Sequence, residues 1–300
     1  WLIPEVGISA GFTISAVVLG VTGAMGLLVG RSWAGAAALL VPAAILLTPS
    51  SPGRVGAIYT APDGDSVKIE AVRESAYGHM VVLTKNRYRL LVVNGIVQTG
   101  FPLDFARLGK GHFLLTGYYQ ELVPYMVDDP SSARALVIGL AGGMTAGILA
   151  GYDMALDCVD IDPAVIAVAR EWFGFRGNAV AADGRLFLES CAGRYDFCII
   201  DTYSGDTFPA QLASREAFQA ARRVLKPGGA LVMNFIGSPK GAAFDAMHAT
   251  LAGEFKHVLA IRGEDSDDVQ TITLFASDKS IKFNKAWLDH LGGTPGTDPV

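Results

Sequence analysis

Two aspartates, Asp201 and Asp206, stand in the stretch DTYSGDTFPA directly after the apolar run YDFCII. A carboxylate is costly where a buried strand ends unless a cation sits beside it. A pair of carboxylates there can hold an ammonium group, and one of them can take its proton as a general base. Comparable residues close the other apolar runs. VIGLAGG ends in Gly139, Gly142 and Gly143; ALDCVD ends in Asp160; NAVAADG ends in Asp183 and Gly184. Glycines after a strand let the backbone approach a ligand at a helix start. An acidic residue about 20 positions further on is placed to grip two ribose hydroxyls. Each aspartate alone could be a helix cap, and the glycines alone a tight turn. Together, at successive strand ends, they predict a nucleoside site with a cationic second ligand.

These residues require a scaffold that brings strand ends to one edge. From Ala133 onward the chain alternates strand and helix: ARALVIGL, GGMTAGILAG, ALDCVDID, PAVIAVAREWFG, NAVAADG, YDFCIID, SREAFQAARRVL, ALVMNFIG, GAAFDAMHATLAGEF, HVLAIRG and VQTITLFAS. That rhythm predicts an α/β, Rossmann-like, doubly wound parallel sheet of methyltransferase type, with ligands beyond the carboxyl ends of its strands. Pro163 suits the first turn of a helix. Before it, DSVKIEAVRES, HMVVLTK, YRLLVVNG and IVQTG, punctuated by KNR and NG, predict a small antiparallel sheet. A helix is expected near His112–Val127.

The 300 residues are 51% hydrophobic with a formal net charge of −5, and the mean hydropathy is +0.35. The excess sits at the start. Residues 6–30 carry no charge, and 32–53 carry none either. The first run is long enough to span a bilayer, which takes about 20 apolar residues. Pro42 in the second is tolerable in a membrane helix. The spacings Gly7-xxx-Gly11 and Gly26-xxx-Gly30 let helices approach closely. The expectation is a transmembrane helical hairpin over 1–48, a β domain over 55–110 and a Rossmann-like catalytic domain over 111–300. A start at Trp1 rather than methionine suggests a piece of a longer chain. The acidic balance does not favour nucleic acid as a partner. Three cysteines without a CxxC pair give neither a disulfide framework nor a metal site.

GLAGGMTAG lacks a strict GxGxxG, and LKPGG before the fifth strand is of the kind found in S-adenosylmethionine-dependent methyltransferases. The segments YGHMVVLTKNRYRLLVVNGIVQTG, VIGLAGG, VDIDPAVIAVAREWFGF, ADGRLFL and YDFCIIDTYSGD…P…LASREAF…VLKPGG together resemble the spermidine synthases, the polyamine aminopropyltransferases, in order and spacing over about residues 65–280. The apolar start and DxYSGDxxP are more similar to a membrane-fused, spermidine synthase-like branch. The resemblance implies a membrane protein with a cytoplasmic catalytic domain, no tightly bound cofactor and no metal. It implies decarboxylated S-adenosylmethionine as co-substrate, a polyamine such as putrescine as acceptor, and a homodimer as a further option. It places Asp160 at the ribose, Asp183 and Gly184 on the adenine side, and Asp201 as proton acceptor. Gln98 and Pro209 match further donor-side positions, with Asp206, Tyr118, Tyr203 and Ser204 around the acceptor. Departures stand beside the matches. Gly142 replaces the family's amine-gripping aspartate, Gly78 replaces a glutamine, GFPL replaces a charged ERDE after Gln98, and Asp206 is displaced from the second aspartate of DSSD. Two alternatives therefore remain: a transferase using intact S-adenosylmethionine, for methyl or another alkyl group, and a non-catalytic, membrane-held polyamine or nucleoside binder.

Overall fold

The computed structural model describes residues 14–15, 17–23, 25, 55–105, 119–203, 207–263 and 266–284. The chain divides into two units, Trp1–Gly95 and Ile96–Val300.

In the first unit the strands are β1 (Ile58–Thr60), β2 (Ser66–Glu74), β3 (His79–Lys85) and β4 (Tyr88–Val93). They pair antiparallel in sequence order. Alternation along β3 sends Met80 and Val82 inward, where they meet Ala71 and Leu91 in a small core. A register shift between Ile69 and Ala71 marks a bulge in β2. Asn94 and Gly95 both take positive φ (52° and 85°), the pair that a type I′ turn requires. Ile14, Ser15, 17–23 and Met25 are helical. Among the described residues no helix is long and apolar enough to cross a membrane. The hairpin expected over 1–48 falls for the most part outside the described residues.

The second unit opens with β5 (Ile96–Pro102) and a 3₁₀ helix, Tyr119–Met126. An α-helix was the expectation here. The proline inside the segment, Pro124, has no N–H, and in an α-helix its ring would collide with the carbonyl of Gln120. The tighter i→i+3 winding is what the described part adopts. The alternating region then runs β6 (Arg134–Ile138), α1 (Met144–Ala150), β7 (Ala155–Asp160), α2 (Pro163–Trp172), β8 (Asn178–Ala181), α3 (Gly184–Ser190), β9 (Tyr195–Ile200), α4 (Arg215–Val224), β10 (Leu225–Gly237), α5 (Ala242–Ala252), β11 (His257–Arg262) and β12 (Gln270–Ser277). LKPGG opens β10, with a register shift between Leu225 and Ala230.

The seven strands lie in the order β11-β12-β10-β9-β6-β7-β8, with β12 antiparallel to both of its neighbours. From β6 the sheet grows toward β7 and β8; from β9 it grows the other way. The crevice of such a sheet opens at this reversal, beyond the carboxyl ends of β6 and β9. One face buries Leu136, Ile138, Cys198, Ile200, Leu231 and Met233 against Phe218 and Val224 of α4 and Phe244 of α5. Helix starts are capped locally: Asp162 accepts from the Ala164 N–H with Pro163 next to it, and Ser214 accepts from Ala217.

Candidate active site

The glycine loop follows β6 at the reversal point. Gly139 has φ +91°, and a Cβ there would stand 2.0 Å from the Asp201 carbonyl oxygen. Its glycine is therefore required by the neighbouring strand end, whereas the sequence suggested close approach of a ligand. Gly142 is buried; its N–H donates to Thr99 Oγ1 at 3.2 Å, and a Cβ would press on Thr99 at 3.0 Å and Phe173 at 3.2 Å. Gly143, at φ +82°, precedes α1 and lies against Phe175. Thr99 and the half-buried Gln98 both come from β5.

Asp160 ends β7 and ties the loops together. One carboxylate oxygen accepts from Leu140 N–H and the other from Asp162 N–H, both at 2.9 Å. Burial pushes its pKa up, against the pull of these backbone bonds. Asp183 caps α3, accepting at Oδ1 from the N–H groups of Arg185 (2.7 Å) and Leu186 (3.1 Å). The cap competes with the adenine-side role expected for it, although Oδ2 makes no hydrogen bond among the described residues. Gly184 is glycine because a Cβ would sit 2.4 Å from Ile138 Cγ2, so α3 starts flush against β6. Two apolar side chains stay open at this edge: Ile161, directly after Asp160, is 41% exposed, and Leu186 is 65% exposed. Sequence reasoning passed over both. The signal was an isoleucine between two aspartates in DID.

Asp201 follows β9. Its Oδ1 accepts from Asn234 Nδ2 at 2.9 Å and its Oδ2 from Thr145 Oγ1 at 3.2 Å. Burial raises its pKa, offset in part by these two bonds. Sequence reasoning also missed Thr145 and Asn234. Asn234 was legible as a lone amide within ALVMNFIG, a strand otherwise apolar on both faces. Tyr203 accepts from the Ile236 N–H at 2.6 Å through its hydroxyl, which burial pushes up to about 12, and its ring meets Phe208 edge-on at 5.6 Å. Pro209 precedes a 3₁₀ turn, Ala210–Leu212, and its carbonyl accepts from Leu212 N–H. Tyr118, Ser204 and Asp206 lie outside the described residues. Gln120, on the 3₁₀ helix, is 2% exposed, and its Oε1 has no hydrogen-bond partner among the described residues.

The strand ends thus carry Asp160, Asp183 and Asp201 along one edge. None of the three is in an ion pair among the described residues. Open apolar surface beside Asp160 suits a flat ring, and the carboxylate suits ribose hydroxyls. Asp201, held from both sides, keeps its remaining lone pairs for a group arriving from outside.

A family model, the spermine/spermidine synthase domain, matches residues 75–239. A probable polyamine aminopropyl transferase of Bifidobacterium longum is 33% identical over 193 residues, 61% of this chain and 41% of that protein. Putrescine N-methyltransferase 1 of Nicotiana tabacum is 32% identical over 186 residues, 55% of this chain and 45% of that protein. Spermidine synthase from Thermotoga maritima shares the fold, with a TM-score of 0.59 at 17% identity over 84% of this chain and 92% of that one. The chain spans half or less of the length of the curated relatives it matches. With more than half of its residues inside that domain, the chain belongs to the spermine/spermidine synthase family.

Proposed function

We propose that this protein transfers an aminopropyl group from decarboxylated S-adenosylmethionine to a polyamine such as putrescine, forming spermidine and releasing methylthioadenosine. The observation that carries the reading is Asp201: a carboxylate at the switch point, oriented by Asn234 and Thr145, raised in pKa and without a cationic partner among the described residues. The acceptor is an ammonium ion at neutral pH and must lose a proton before it attacks. Asp201 takes that proton. The freed nitrogen lone pair then forms the new N–C bond, the S–C bond breaks, and its electron pair neutralises the sulfonium. A base whose pKa is raised toward the working pH is better suited to this transfer than an ordinary aspartate. Asp160 holds the donor's ribose, and Ile161 and Leu186 flank its base. Asp206, Tyr118, Tyr203 and Ser204 surround the acceptor, and Gln98 with Pro209 contributes on the donor side.

One observation favours methyl transfer from intact S-adenosylmethionine. Gly142 carries no carboxylate for a donor amine, and Thr99 and Phe173 fill the space that a longer side chain would need. The putrescine N-methyltransferase relative points the same way. Incubation with putrescine and each donor in turn separates the two. Methylthioadenosine and spermidine are expected from decarboxylated donor; S-adenosylhomocysteine and a methylated amine would establish the second reading. Residues 1–48 are proposed as a membrane anchor that leaves the catalytic unit on the cytoplasmic side.

A further inference from the structure

The amino edge of the seven-stranded sheet, opposite the strand-end carboxylates, holds a cavity of about 290 Å³. Phe197 of β9 and Gly228, Gly229 and Ala230 of β10 line it from the sheet. The segment after β12 closes it. Phe283 meets Phe275 edge-on at 5.5 Å, and the Asn284 N–H donates to the Tyr125 carbonyl at 2.8 Å. That bond draws residues 279–284 back to the last turn of the 3₁₀ helix, so Met126 and Val127 line the cavity together with Ile281. Its charge is one-sided. Asp196 is the carboxylate among the lining residues, and its Oδ2 is taken by Lys226 Nζ at 2.7 Å and the Arg134 N–H at 2.8 Å. Lys279 and Lys282, also in the lining, form no ion pair among the described residues. Lys279 is laid across Gly228: a Cβ there would stand 2.3 Å from Lys279 Cε and 2.7 Å from its Nζ. The glycine, at φ +80°, leaves no side chain between that ammonium and the backbone turn.

We infer that this cavity binds a small phosphate monoester, its phosphoryl group held by Lys279 and Lys282 over Gly228 and its organic part against Met126, Val127 and Ile281. A phosphate monoester carries close to two negative charges at neutral pH and three strong acceptor oxygens. Two ammonium groups without a carboxylate match that charge, and lysine serves such a group as a point charge. The half-buried apolar residues beside them suit a ligand with a body and not a bare ion. The site is separate from the catalytic edge: five residues of extended β9 lie between Asp196 and Asp201, about 16 Å. The two edges also differ in sign. Carboxylates gather at the end that would meet a cationic acceptor, and unpaired lysines at the end that would meet an anion.

Calorimetry with the full chain at fixed ionic strength tests this, using phenyl phosphate and inorganic phosphate as probes. Wild type is expected to bind phenyl phosphate more tightly. Lys279→Gln and Lys282→Gln should each weaken phenyl phosphate about tenfold or more, the order of a lost charged hydrogen bond. Lys279→Arg keeps the charge and should retain most of the affinity. Lys240→Gln removes an exposed lysine that pairs with Asp267 elsewhere, and should change nothing. Failure of wild type to bind either probe would overturn the site. An equal loss in the Lys240 and Lys279 variants would show attraction to surface charge alone and overturn it as well. Competition between phenyl phosphate and methylthioadenosine would put the anion at the catalytic edge, with the same consequence. Equal affinities for the two probes would overturn the monoester and leave free phosphate as the ligand.

Discussion

At the scale of single residues, Asp201 joins catalysis to stability. Its folded pKa is raised, so the folded state holds the proton more tightly than the unfolded one, whose aspartate titrates near about 4. Stability is therefore greatest below that value and is lost as the pH rises through the folded pKa; above it the penalty is complete. Asp201→Asn removes the charge and keeps both hydrogen bonds, since the new amide can accept from Asn234 and donate to Thr145. The melting temperature of the ligand-free protein should rise at pH 7, and the gain should shrink toward pH 4. Turnover should fall at least about 100-fold with donor binding little changed. A variant that melts lower and turns over normally would make Asp201 a loop-holding carboxylate. Asp160→Ala should weaken methylthioadenosine by about 1–3 kcal/mol; an unchanged dissociation constant in calorimetry would remove Asp160 from the site.

At the scale of elements, the site depends on how closely β6 and β9 end together. Gly139 lies against the Asp201 backbone, Gly184 against Ile138, and Gly142 against Thr99. Gly139→Val adds a branched side chain at φ +91°, where its Cβ would overlap the Asp201 carbonyl. Strain and overpacking together should cost more than about 3 kcal/mol. Chemical denaturation should show a lower midpoint, and nucleoside binding should go with it, because the displaced glycine loop is the one that Leu140 N–H ties to Asp160. A variant of native stability that fails only to bind nucleoside would show that the glycine serves the ligand alone.

At the scale of the whole molecule, the candidate site belongs to one unit. The unit Ile96–Val300 holds every described candidate site residue, from Gln98 and Thr99 in β5 to Asn234 in β10. The uncharged runs before Arg54 contribute none. A chain beginning at Arg54 should therefore be more soluble and still bind methylthioadenosine, while the full chain should partition into vesicles. Loss of nucleoside binding on truncation would mean that residues 1–48 pack on the catalytic unit, which would end the anchor assignment.

Much of the fold was legible because local signals and periodicity agree with it. Alternating apolar runs, Pro163 at a helix start and glycines after a strand follow from local stereochemistry, which sequence carries directly. Asp160, Asp183 and Asp201 were legible as charges where apolar runs stop. Their partners were not. Asp183 as a cap and Gly139 as a contact of Asp201 depend on which loop lies beside which. Thr145 and Asn234 meet Asp201 from 56 and 33 positions away along the chain. The sequence by itself determined the element order, the strand-end carboxylates and the family. Strand order and register decided which polar side chains share a face, because pairing between distant strands is set by the packed sheet and leaves no mark in the spacing of residues.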